Sequence, residues 1–270
     1  MGELLLNNYV PPFDVTTKML NFATLIGEKV GQIRTNYKDL ESRPKLRRNN
    51  RIRSIYSSLA IEANSLSLNE VAAVINGKLV LGSQKEIREV QNAYAAYELL
   101  GNFDPYSIQD LKKIHSVMTN FLISESGNFR HGEEGVFDGN KCIFIAPPAK
   151  LVPQLMEDLF EWLNRTKNKL HLLIASSVFH YELVFIHPFS DGNGRMARLW
   201  QTALLTEWRH LFQYLPLENQ IQKFQNEYYE SIAKSHKTGK SNIFVEFMLE
   251  KIYEILTEIE NGLKSRNKTK

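Results

Sequence analysis

The chain has 270 residues, 43% of them hydrophobic and 23% charged, the make-up of an ordinary globular protein with ample material for a core. A formal net charge of +3 is too small to argue for nucleic acid by itself, and a single cysteine, Cys142, excludes an internal disulfide and fits a reducing compartment. Residues 1–12 carry Leu4-Leu5-Leu6 but no basic lead or signal-length apolar run, and the most apolar stretch, 170–186, is interrupted by His171, His180 and Glu182. A cytoplasmic protein is therefore expected, with 170–186 as a buried helix.

Helical periodicity dominates in chain order. Residues 17–40 read as an amphipathic helix with Leu20, Ile26, Val30 and Ile33 on one face. Pro44 ends it, and a second helix starts near Lys45 inside a basic run of Arg43, Lys45, Arg47, Arg48, Arg51 and Arg53. A short helix over 69–76 is closed by Gly77, and another over 85–100 by Gly101. A further helix covers 107–122. Between Gly127 and Pro148 the pattern changes: Val136-Phe137, the turn Asp138-Gly139-Asn140, then Cys142-Ile143-Phe144-Ile145 predict a β-hairpin. Helices return over 152–163, 170–186 and 194–208, and twice more, including 244–256, before a charged tail at 264–270. The expected fold is mainly α with one small hairpin.

The densest chemistry lies at His187-Pro188-Phe189-Ser190-Asp191-Gly192-Asn193-Gly194-Arg195-Met196-Ala197-Arg198. Pro188 disfavours helical geometry for His187, so the preceding helix must stop there and leave the imidazole at a helix-to-loop exit. Asp191-Gly192-Asn193-Gly194 makes a tight turn whose N–H groups can converge on an anion, and the next helix points its N-terminal dipole into the same loop. Arg195 and Arg198, three apart, share a face of that helix. Asp191 would repel phosphate directly and makes sense as the holder of a hard cation, most simply Mg²⁺. An imidazole of near-neutral pKa can take a proton from an incoming hydroxyl, so His187 reads as a general base. The stretch is not a Walker A loop, and it lacks the alternating oxygen ligands and final glutamate of a calcium loop.

The same stretch resembles the signature of the Fic family, His-Pro-Phe-x-Asp-Gly-Asn-Gly-Arg-x-x-Arg, at every defined position. The resemblance extends upstream through the hairpin to about Ser107 and downstream through Tyr228-Tyr229 and the 244–256 helix. It implies a Fic-type helical bundle over 106–260 with a hairpin flap at about 136–145, preceded by an all-helical N-terminal region over 1–105 and followed by the tail 261–270. It further implies transfer of AMP from ATP to a Tyr, Thr or Ser hydroxyl of a protein. In that reading His187 is the base, Asp191 binds Mg²⁺, Asn193, Gly194 and Arg195 hold the α- and β-phosphates, and Gly192 belongs to the same nucleotide-binding loop. Arg198 reaches the γ-phosphate. The flap would hold the target segment by strand addition, and Tyr228 or Tyr229 lies either near the adenine or in the core.

The second helix, over 45–64, carries another signal. Ile52, Ile55 and Leu59 form an apolar stripe, with Glu62 on its edge and Ser58 one turn earlier. Ser58-Leu59-Ala60-Ile61-Glu62-Ala63-Asn64 resembles the family's inhibitory motif, Ser/Thr-x-x-x-Glu-Gly/Asn, in which the glutamate pairs with the second signature arginine, here Arg198. Ala63 departs from that pattern; Asn64 next to it suits a helix end. The implied function is an adenylyltransferase inhibited by its own Glu62. The alternatives are a hydrolase that removes AMP with the same site and a nucleic-acid-associated regulator built on the basic run. Expected partners are ATP, a target protein on the flap, and the chain itself as modification target or second subunit, with no membrane and with nucleic acid disfavoured.

Overall fold

The computed structural model describes residues 9–36, 44–138 and 141–268. Arg43, residues 37–40 of the first predicted helix and the Gly139-Asn140 turn lie outside the described residues. Eleven α-helices and one two-stranded antiparallel sheet make up the described chain. No helix among these residues is long and apolar enough to cross a membrane.

The N-terminal helices come first in the chain. Helix α1 spans Thr17–Asn36 and buries Met19, Ile26, Val30 and Ile33. Leu20 was expected on that face but is 54% exposed. At about 100° per residue it is turned aside from the row that Met19 shares with Ile26 and Ile33. Helix α2 spans Pro44–Ile61 and opens on proline, which lacks the N–H that a first turn leaves unpaired anyway. Ile52, Ile55 and Leu59 are buried along it, as are Ser54, Ser57 and Ser58. Helix α3, Leu68–Ile75, begins at a capping box in which Ser67 and Glu70 bond each other's backbone N–H. Helix α4 spans Gln84–Glu98.

The second half is built around two central helices. Helix α5 spans Ile108–Met118, one turn shorter than expected, and α6 spans Val152–Thr166. Helix α7, Leu172–Ile186, is buried on nearly every side, and α8, Asn193–Trp208, packs along it. Glu182, which interrupts the apolar run of α7, is buried; it accepts a bond from the Tyr9 hydroxyl at 3.1 Å, and burial pushes its pKa up to about 7. Helices α9, Leu217–Lys223, α10, Gln225–Thr238, and α11, Asn242–Lys268, complete the bundle. Three helices thus follow α8 where two were expected. The charged residues 264–268 continue α11 instead of forming a separate tail.

Strands β1, Gly135–Asp138, and β2, Lys141–Ile145, pair with Gly135 opposite Ile145 and Asp138 opposite Lys141. The register shifts between Val136 and Phe137, a bulge that adds local twist. Phe144 anchors the hairpin to the bundle by packing on Phe185 of α7 and stacking on His236 of α10 at 4.3 Å. The N-terminal helices close around this core: α1 lies along α11, and α2 lies along α9 and touches α8.

Candidate active site

The sharp exit predicted by Pro188 is a left-handed C-cap. His187 has φ 51° and ψ 58°, and its N–H still donates to the Leu183 carbonyl. Its Nδ1 faces the Val184 carbonyl at 3.3 Å. A carbonyl can only accept, so Nδ1 carries the proton and Nε2 keeps its lone pair. Burial lowers the His187 pKa, partly offset by the Val184 carbonyl and by the charges of Glu134 and Glu62. The ring is therefore neutral at pH 7 and able to accept a proton.

Gly192 caps α8 with φ +84°, a conformation that strains any side chain. A Cβ there would also press on Thr119 at 3.2 Å. Asn193 does not point its side chain at a ligand: it closes the loop on itself, accepting from the Phe189 N–H at 2.9 Å and donating to the Phe189 carbonyl at 2.7 Å. What Asn193 offers an anion is its backbone N–H at the helix start. Asp191 Oδ1 accepts from Arg195 Nη2 at 2.8 Å and from the Gly192 N–H at 2.5 Å. Burial opposes ionisation of Asp191, but Arg195 and the Gly192 N–H outweigh it and hold the pKa below its usual value. Both bonds fall on Oδ1, so Oδ2 of an ionised carboxylate is left without a hydrogen bond among the described residues.

Arg198 is 2% exposed in the next turn of α8. Its Nε donates to Ser58 Oγ at 3.1 Å, and its Nη2 donates to the Ser58 carbonyl at 2.9 Å and to Glu62 Oε1 at 2.7 Å. Burial alone would weaken its charge; Glu62 more than compensates and raises the pKa. The carboxylate also stands over the start of α8, because a Cβ on Gly194 would collide with Glu62 Oε1 and approach Arg198.

Helix α2 delivers Glu62 by a specific ending. The helix stops at Ile61, three residues short of the expected end. The Asn64 N–H then reaches back to the Leu59 carbonyl and the Ala63 N–H to the Ala60 carbonyl, a Schellman motif with Glu62 as C-cap. The left-handed residue is Ala63, at φ +64°, not Asn64. Asn64 is instead spent on α4, donating to the Glu86 carbonyl and to Glu89 Oε2. A carboxylate at a helix C-terminus opposes the macrodipole of its own helix, so Glu62 gains from the N-terminus of α8 and from Arg198. Tyr229 Oη and Gln225 Nε2 both donate to the Ile61 carbonyl at 3.3 Å, filling an acceptor that the helix end leaves open.

Left-handed geometry costs an alanine roughly 1–2 kcal/mol, of which glycine's greater unfolded-state freedom returns about half. Ala63 is exposed and its side chain supports nothing. Ala63→Gly is therefore expected to stabilise the fold by about 0.5–1 kcal/mol, read as a higher urea midpoint at unchanged m-value. A lower midpoint would show that the turn does not hold this conformation.

Two residues that sequence reasoning missed hold the loop in place. His115 of α5 is buried; its Nδ1 accepts from the Gly127 N–H at 2.9 Å and its Nε2 contacts the Asp191 carbonyl at 3.0 Å. These partners fix one neutral tautomer, and burial lowers the pKa to about 4. Its ring stacks on Phe189 at 3.6 Å and 7°. Arg130 is 2% exposed and donates only to carbonyls: Nε to His187 at 2.7 Å, Nη1 to Gly132 at 2.8 Å, and Nη2 to Pro147 at 2.5 Å. Its own N–H donates to the Pro188 carbonyl. One guanidinium thus ties both ends of the hairpin to the backbone of His187.

The geometry has counterparts among known proteins. Residues 105–205 match the model of the Fic/DOC family. A crystal structure of a Fic family protein from Desulfovibrio desulfuricans G20 is 44% identical and superposes with a TM-score of 0.89, covering 94% of this chain and 77% of that one. The chain belongs to the Fic family. Protein adenylyltransferase fic-1 of Caenorhabditis elegans is 30% identical over 188 residues, 66% of this chain and 35% of its own length. Protein adenylyltransferase Fic of Culex quinquefasciatus is 31% identical over 207 residues, 73% of this chain and 39% of its own length. The chain spans little more than a third of these curated relatives.

Within this Fic fold the sequence-predicted residues fall into two groups. His187, Asp191, Gly192, Gly194, Arg195 and Arg198 line one loop and helix start, with Ser58 and Glu62 brought to them from α2, more than a hundred residues away in sequence. Asn193 belongs to the same loop by its backbone alone. Of the two tyrosines, Tyr228 is core, 2% exposed with its hydroxyl on His180 Nε2 at 2.9 Å, whereas Tyr229 is 46% exposed beside the end of α2. Among the described residues no cluster of three His, Cys, Asp or Glu side chains forms a ready-made metal cage. A single ionised carboxylate with one uncommitted oxygen suits Mg²⁺, which keeps waters and takes its other ligands from phosphate.

Proposed function

We propose that this Fic protein transfers AMP from ATP to a Tyr, Thr or Ser hydroxyl of a protein and is restrained by Glu62. The observation that carries the reading is the start of α8, whose N–H groups at Asn193 and Gly194 can converge on an anion, following a neutral histidine whose Nε2 makes no hydrogen bond among the described residues. The relatives named protein adenylyltransferase support the same chemistry.

In the proposed step the target hydroxyl oxygen attacks the α-phosphorus of ATP. A new P–O ester bond forms, the bond from the α-phosphorus to the oxygen bridging to the β-phosphate breaks, and pyrophosphate leaves with that electron pair. The hydroxyl proton goes to His187 Nε2. The N–H groups of residues 193 and 194 and the Arg195 guanidinium face the α- and β-phosphates, and Arg198 serves the γ-phosphate once Glu62 lets go, while the Gly192 N–H stays on Asp191. Asp191 would hold Mg²⁺, which neutralises phosphate charge when bound. Arg130 and His115 are positioning residues: one fixes the backbone of His187, the other the carbonyl of Asp191.

Residues 1–105 then act as the regulatory region and 106–260 as the catalytic one. The hairpin, with Ile145 74% exposed at its base, is the proposed dock for the target segment by strand addition. A single cysteine supports a cytoplasmic setting.

Intact-mass spectrometry after incubation with ATP and Mg²⁺ tests the reaction class. Gain of one AMP on the protein itself or on an added lysate protein is the expected result. Gain of phosphate alone, or loss of AMP from a modified protein with no gain elsewhere, would replace the proposal with a kinase or a hydrolase.

A further inference from the structure

The basic run of α2 is not used by the chemistry above, and the structure shows where it goes. It does not form one continuous stripe. Arg53 lines one cavity, against Leu211, Leu215 and Ile255, while Arg48 and Arg51 line a separate one; Arg47 borders both. The second cavity, about 280 Å³, lies between α2, the end of α4 and the turn at Gln213 and Tyr214.

Its charge is poorly balanced. Arg47 donates to the neutral Tyr214 hydroxyl at 3.1 Å, and Arg48 donates to the neutral side-chain amide oxygen Oδ1 of Asn76 at 2.5 Å. Among the described residues only Arg51 has a carboxylate ion-pair partner, Glu98, and that contact is loose at 3.8 Å to a half-exposed side chain. Among the described residues these three guanidiniums, each with five donors, thus make one ion pair, and the further carboxylate near Arg51 is the buried Glu218. The first turn of α2 holds no acidic residue, so the helix dipole adds to the positive potential instead of cancelling it. Arg51 is mostly buried, and burial weakens its charge, which means the pocket holds a cation without full compensation. Tyr94 and Tyr214 supply aromatic walls, and Arg47 already lies over the Tyr214 ring at 5.2 Å.

We infer that this cavity is a second anion site, built for a small phosphate-bearing ligand held by Arg47, Arg48 and Arg51. Arginine forks match phosphate oxygens in pairs, and flat tyrosine faces suit a planar group attached to the phosphate. The basic side chains divide between two cavities instead of lining one track, which favours a small molecule over an extended nucleic acid, since the latter needs a continuous basic surface. A ligand here bridges α2 to α4 and to the 213–214 turn. Since α2 also carries Ser58 and Glu62, occupancy opposes any departure of that helix from Arg198.

Hydrogen exchange read by mass spectrometry, with pyrophosphate as the probe, separates this site from the catalytic loop by location. Exchange in peptides covering 45–61 and 94–100 is expected to slow about tenfold at a pyrophosphate concentration of about ten times Kd. That protection is expected to vanish in Arg48→Glu, a change at an exposed position, and in Arg47→Ala. Protection at 187–198 should persist in both variants. Protection confined to 187–198, or protection at 45–61 that both variants retain, overturns the inference. So does protection at 45–61 by a single-stranded oligonucleotide in place of pyrophosphate. A failure of AMP transfer would leave this readout untouched, so the two proposals fail separately.

Discussion

Glu62→Gly is expected to raise incorporation of labelled AMP, into the protein itself or a target, by about 5- to 150-fold at equal ATP and Mg²⁺. The range follows from the pair that, in the proposed reaction, breaks before Arg198 meets a γ-phosphate. Arg198 is buried while the Glu62 side chain is 38% exposed, which places the ion pair between two regimes. Exposed pairs contribute about 0–1 kcal/mol, and breaking a buried one costs about 3–5 kcal/mol. An intermediate 1–3 kcal/mol, at about 1.4 kcal/mol per factor of ten, gives the stated range. Glu62 does more than occupy the arginine: its carboxylate sits against Gly194, where phosphate would lie, so like charges repel there as well.

The same substitution has a cost that distinguishes this account from a general loosening of the fold. Without Glu62, Arg198 keeps Ser58 Oγ and the Ser58 carbonyl, which are neutral acceptors, and loses its one ion-pair partner among the described residues. The variant should therefore melt lower than the parent without nucleotide and regain the difference when ATP binds. Equal AMP incorporation by parent and variant, with the expected fall in melting temperature, would remove the brake from the account while leaving the ion pair as a structural contact.

What could be read from the amino-acid order depended on whether a residue acts through its own chemistry or through the backbone. The loop 187–198 was legible because proline, glycines, a carboxylate and arginines each restrict local geometry or charge within a few residues. The capture of Arg198 by a glutamate 136 residues away was reached through resemblance, not spacing. Arg130 and His115 were not legible: their partners are main-chain carbonyls and N–H groups, which every residue supplies, so no partner identity marks them. Asn193 misled for a related reason, since an amide beside glycines suits a ligand and a loop closure equally well; here it closes the loop. The end of α2 was placed late because Asn64 is the better left-handed residue by type. Tertiary demand decided otherwise: Asn64 is held by α4, and the strain passes to Ala63. That strain gives a physical reason for the glycine or asparagine in the family's motif at this position.

In the Glu62→Gly background, His187→Ala is expected to lower AMP transfer by about 10²–10⁴-fold, the usual contribution of a positioned general base, with ATP affinity unchanged. The nest is built from backbone N–H groups and arginines, none of which the imidazole supports directly. Position 187 is left-handed, however, and alanine tolerates that poorly. His187→Asn is the sharper variant, because asparagine accepts φ near +50° while offering no basic nitrogen. The loop then keeps its shape and loses only the proton acceptor. The pH profile gives a second handle. Burial lowers the pKa of His187, and a base works deprotonated, so kcat/KM should be level at pH 7 and fall only below the ordinary imidazole value near 6.5. Transfer retained in His187→Asn, or an acid limb centred well above pH 6.5, would take the proton-accepting role away from this residue.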